Sequence, residues 1–138
     1  MFRAVFYCII ILILVTPAWA APAPEKPFNA ALSAFSDANY ERAEHEFGQF
    51  AVDFPVSPRL PEAILYQAQA RLKLTNYAGA IDLLSSQMTN VGAWTDQCLF
   101  WIGEAYLKQT NVPAALKAFG RVVKVFPASP RWVEALTD

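Results

Sequence analysis

The chain has 138 residues, with 11 basic against 12 acidic side chains and a net charge of −1. That length limits it to one domain, and a balance so near neutral excludes the basic footprint of a nucleic-acid binder. Its 55% hydrophobic share is inflated by the first twenty residues.

There Arg3 is the only charge before an apolar run from Ala4 to Val15, which leads into Thr16-Pro17-Ala18-Trp19-Ala20. A basic start, an apolar stretch and small residues at Ala18 and Ala20 predict a secretory signal peptide over residues 1–20, cleaved after Ala20. The alternative is an uncleaved membrane anchor. A bilayer span wants about 20 apolar residues, and Pro17 cuts this run short. Cleavage would remove Cys8 and leave Cys98 as the one thiol, with no partner for a disulfide. Cys98 then reads as a small buried side chain, with a reactive role as the alternative.

Residues 21–27, with three prolines, read as a tether. Helical spacing of apolar residues then predicts helix pairs over about 28–37 and 40–53, 58–74 and 77–88, and 95–109 and 112–125, with a further helix starting near Pro130. Ser57-Pro58 and Ser129-Pro130 look like helix starts, because serine caps free amides and proline suits the first helical position. Asp37-Ala38-Asn39, Thr75-Asn76 and Thr110-Asn111 mark the turns inside the pairs. Val91-Gly92-Ala93-Trp94 replaces a Phe-Pro junction and is expected to be looser.

The pairs repeat. FPVSPRLPEA over residues 54–63 returns as FPASPRWVEA over residues 126–135. Asn39-Tyr40-Glu41-Arg42-Ala43, Asn76-Tyr77-Ala78-Gly79-Ala80 and Asn111-Val112-Pro113-Ala114-Ala115 align at intervals in the mid-thirties. Such a period with helical composition means stacked helix pairs. Repeats fall at about 28–57, 58–94 and 95–129, and 130–138 opens a fourth. Nine residues make a marginal helix, since isolated ones under roughly 12–15 residues are unstable in water. The sequence is therefore expected to continue past Asp138.

Leu99, Ile102, Gly103 and Tyr106, then Ala115, Phe119 and Pro127, resemble the tetratricopeptide pattern column by column. The second repeat supplies Ile64, Ala68, Ala80 and Leu84 but departs at Gln67 and Arg71. The first supplies Ala31, Ala43, Phe47 and Pro55, with Pro27 and Ala34 in place of large residues. The resemblance implies an all-α, right-handed superhelical solenoid of antiparallel helix pairs. Phe100-Trp101-Ile102-Gly103-Glu104-Ala105-Tyr106 with Phe126-Pro127-Ala128-Ser129-Pro130 is similar to bacterial envelope repeats, of the Tol-Pal-associated coordinator and β-barrel-assembly lipoprotein kinds. No cysteine follows the leader at the cleavage point, which counts against the lipoprotein.

What this implies is a non-catalytic protein-interaction scaffold of the periplasm. The alternative is a substrate-recruiting domain of a larger enzyme, or of a transport or secretion component. By the family's geometry the first helix of each pair lines the concave wall, which gives three rows: Phe28, Leu65 and Phe100; Leu32, Gln69 and Glu104; and Phe35, Leu72 and Leu107, with Lys73 and Lys108 beside the last. Such a groove, apolar with sparse charge, suits a peptide or helix of a partner protein. No nucleotide-binding or zinc-protease motif occurs. His45 and Cys98 are too few for a metal site, and no catalytic residue or cofactor is expected. Residues 21–60 carry a net charge of −3 and residues 99–138 a net charge of +2. These read as solvated helix faces or, more sharply, as opposite-sign ends that orient a partner.

Overall fold

In a computed structural model the described residues are 23–131, and they form a helical solenoid. In chain order they give α1 (Glu25–Ser36), α2 (Tyr40–Asp53), α3 (Leu60–Lys73), α4 (Tyr77–Gln87), α5 (Thr95–Lys108) and α6 (Val112–Val125), with a short 3-10 helix at Gly92–Trp94. The expected signal peptide and most of the fourth repeat lie outside the described residues. Helix α1 begins inside the expected tether: Pro24 is its N-cap and Pro27 falls in its first turn, where a missing amide hydrogen costs nothing. Helix α3 starts at Leu60 rather than Pro58, because Ser57 caps a preceding turn by accepting from the Arg59 amide at 3.2 Å.

The three turns inside the pairs share one construction. Ala38, Thr75 and Thr110 adopt φ values of 58°, 61° and 60°. The following Asn39, Asn76 and Asn111 amides reach back to the carbonyls of Ala34, Arg71 and Tyr106, closing each first helix as a Schellman motif. The same asparagine side chains accept from the amides of Arg42, Gly79 and Ala114 and open the second helix. One residue type ends one helix and caps the next.

Helices α1, α3 and α5 touch in series, and each also packs on its following partner. Grooves separate α2 from α4 and α4 from α6. A row that touches in front of a row that splays curves the array, with α1, α3 and α5 inside. Phe28, Phe47 and Phe50 fill the first pair, with ring centroids 5.4 to 5.5 Å apart. Leu84, Cys98 and Ile102 join the second pair to the third. In the third pair a Cβ on Gly103 would stand 2.4 Å from Phe119 Cε1, so only glycine lets α5 and α6 cross there. The stretch expected to be looser holds a 3-10 turn at Gly92–Trp94, with Val91 buried just before it.

The departures at Gln67 and Arg71 have a shared cause. Gln67 Nε2 donates to Glu44 Oε1 at 3.1 Å, and Arg71 Nε donates to the same oxygen at 2.9 Å. The Arg71 Nη1 group donates to the Gly79 carbonyl at 2.8 Å. These positions hold a polar clasp from α2 through α3 to α4, beside Gly48, where a Cβ would stand 2.7 Å from Gln67 Nε2.

Candidate functional site

The inner surface is shaped by arginines delivered by the repeated Ser-Pro-Arg phrase. Arg59 lies with its guanidinium carbon 3.4 Å from the Phe28 ring centroid. It is held there by Glu25 Oε2 at 3.1 Å and by Glu62 Oε2 at 3.0 Å. Seventy-two residues on (131 − 59 = 100 − 28), Arg131 lies 5.1 Å from the Phe100 centroid. Its amide donates to Ser129 Oγ at 3.0 Å, and the Ser129 hydroxyl donates to the buried Asp96 carboxylate. Between the two arginines Trp94 holds the corresponding place, six residues before Phe100 as Arg59 is six before Leu65.

A pocket on this inner side is a space of about 290 Å³ between α3 and α5. Glu62, Leu65, Tyr66 and Gln69 line it from α3, Trp94 and Gln97 from the start of the third repeat, and Arg131 from beyond α6. It is mostly polar. Gln69 and Gln97 each present an amide donor and a carbonyl acceptor, the pair of groups that an extended peptide backbone needs. Glu62 and Arg131 add opposite charges, and Trp94 and Tyr66 add flat aromatic surface.

Two family models described as tetratricopeptide repeat match the chain, one over residues 28–87 and the other over residues 97–129. The chain belongs to the tetratricopeptide repeat family. A search of curated proteins finds no match. Repeats of this kind generally mediate protein–protein interaction.

In this tetratricopeptide array the expected rows are only partly a surface. Phe28, Leu65 and Phe100 are buried. Phe28 is ringed by Phe47 and Phe50 and roofed by Arg59, and Phe100 packs on Trp101 and Phe119 below Arg131. Phe28 and Phe100 are closed off because the start of the following repeat lays an arginine across each ring. Leu32, Phe35, Leu72 and Leu107 are half-buried, packed on the repeat cores. Of the eleven expected groove residues the structure brings Leu65 and Gln69 to the pocket. Glu104 is half-buried, and Lys73 and Lys108 are exposed in the last turns of α3 and α5, where a cation complements the helix dipole. Glu62, Tyr66, Trp94, Gln97 and Arg131 were missed. The signal for Arg131 lay in the repeated phrase, whose Ser-Pro was read as a helix start while the arginine after it was passed over.

Among the described residues no group of three or more histidine, cysteine or acidic side chains could hold a metal ion. Cys98 is buried, and its thiol is pushed up to about 12 by that burial first and by the Asp96 carboxylate second. At neutral pH it stays a protonated packing group. No helix among the described residues is long and apolar enough to cross a membrane.

Proposed function

We propose that this protein is a non-catalytic interaction module of the bacterial cell envelope, exported with loss of residues 1–20 and working in the periplasm at the outer-membrane side. The inner pocket takes an extended segment of a partner protein. The observation that carries this reading is the pairing of Gln69 and Gln97 across the pocket between α3 and α5. Two carboxamides there can bond a peptide backbone on both sides, while Trp94 and Arg131 select what its side chains may be. Export is supported by the apolar leader and its Ala18 and Ala20 exit, and the envelope setting by the wording around Phe100 and Phe126.

A photo-crosslinking residue placed at Trp94 in living cells, with another at the exposed outer position Asp82, tests the site. A discrete crosslinked protein at Trp94, lost on Gln69→Ala with Gln97→Ala and absent at Asp82, is expected. Identical products at both positions would remove the pocket from the function. N-terminal sequencing of the exported protein is expected to begin at Ala21, and an intact Met1 would reject cleavage.

A further inference from the structure

On the outer side, away from the pocket, α4 and α6 leave a groove of about 400 Å³. Its floor is apolar: Met88, Leu99, Ile102, Tyr106 and Ala118. Its rim carries Lys117 and Arg121, one turn apart on α6, both exposed and without an ion-pair partner among the described residues. No acidic side chain lines it. At the corner between α2 and α3, where the first repeat passes into the second, apolar side chains stand exposed beside acidic ones. Val52 is 73% exposed and Val56 is 94% exposed, and the exposed Asp53 carboxylate lies between them in sequence, with Glu41 further back on α2.

We infer that the groove between α4 and α6 receives the Val52–Asp53–Val56 corner of a second copy of this chain, so that the arrays associate head to tail. Apolar side chains meet an apolar floor, and the Asp53 carboxylate meets Lys117 and Arg121. The charge of the two segments that carry these surfaces fits this direction, −3 over residues 21–60 against +2 over residues 99–138. Because the two surfaces differ, the contact is heterologous: each copy that docks leaves one corner and one groove free, and the assembly grows unless geometry closes a ring. A contact resting on two rim cations and a small apolar corner is weak and salt-sensitive.

Sedimentation velocity of residues 21–138 from micromolar to millimolar concentration tests this. Mean mass is expected to rise with concentration and to fall back on adding salt. Lys117→Glu with Arg121→Glu spoils the groove and keeps the corner. Asp53→Lys with Val56→Lys spoils the corner and keeps the groove. Each variant alone is expected to associate at least about tenfold more weakly than the parent. Mixed together they would still pair, one intact corner in one intact groove, and stop at a dimer. All four substitutions are at exposed sites, and circular dichroism shows whether the helices remain. A parent that stays monomeric at millimolar concentration overturns the inference, as does a mixture that stays monomeric. Capture of an acidic, valine-bearing peptide by a chain that does not self-associate would assign the groove to a different protein and overturn it too.

Discussion

At the scale of single residues, Cys98 shows how burial alone settles a chemical role. Its thiol sits among the packed side chains that join the second and third pairs, two positions from the Asp96 carboxylate. Burial and then that negative charge raise it from 9.0 to about 12. The unfolded chain gives up this proton more readily than the folded one, so the folded state binds more protons above the ordinary thiol pKa. Its contribution to stability is whole below pH 9 and is lost as pH rises from 9 towards 12. Denaturation midpoints measured on both sides of pH 9 for the parent and for Cys98→Ala check this. The parent is expected to fall more steeply with pH than the variant, and equal slopes would assign the alkaline loss to other groups. Before unfolding, the thiol should resist maleimide, since the thiolate is the reacting form.

At the scale of elements, the asparagine turns decide where each pair folds back. The Asn76 amide closes α3 on the Arg71 carbonyl, and its side chain accepts from the Gly79 amide at 3.0 Å. Asn76→Ala keeps the first bond and deletes the second, so the loss should be that of an N-cap, about 1 kcal/mol. Urea melts of parent and variant measure it, and an unchanged midpoint would mean that water serves the amide equally well. These turns, the six paired helices and the small columns at Gly103 and Ala115 were legible in the sequence because they depend on short-range spacing. Gln67 and Arg71 could be read only as exceptions. Their partner Glu44 is 23 and 27 residues away, on a neighbouring element, and a one-dimensional period carries no such pairing. Phe28 and Phe100 were misread as surface for the same reason. Their covers, Arg59 and Arg131, come from the start of the following repeat, and an arginine's long apolar stem can roof a ring while its charge still meets a carboxylate. The helices around the pocket could be anticipated, but its composition could not.

At the scale of the whole molecule, repeat order is fixed by the polar clasp. Stability in such arrays is close to a sum over repeats and the contacts between neighbours, so in principle repeats could be removed without penalty beyond their own share. Here the residues 35 positions after Gln67 and Arg71 are Ile102 and Tyr106. Excising the 35 residues 60–94 would therefore place Glu44 against an isoleucine and a tyrosine, with a carboxylate left short of donors. The shortened chain is expected to be poorly helical at room temperature by circular dichroism. Adding Ile102→Gln and Tyr106→Arg should restore the donors, with the Ala114 carbonyl standing where Gly79 stood. The expected recovery is about 1–3 kcal/mol, the worth of hydrogen bonds to a charged, half-buried carboxylate. If the restored chain melts no higher than the plain excision, the clasp does not govern the junction.

The contrast between the touching inner helices and the splayed outer ones also sets how the array deforms. Bending needs something to compress or stretch, and α1, α3 and α5 are already in contact while space remains behind them. The inner row therefore acts as a stiff spine, and flexing is taken up by the outer grooves widening or narrowing. The pocket at Gln69 and Gln97 opens between α3 and α5 of that spine, so it keeps its width through the motion. A guest wedged between α4 and α6 would do the reverse: without touching the pocket, it would set the radius of the whole arc.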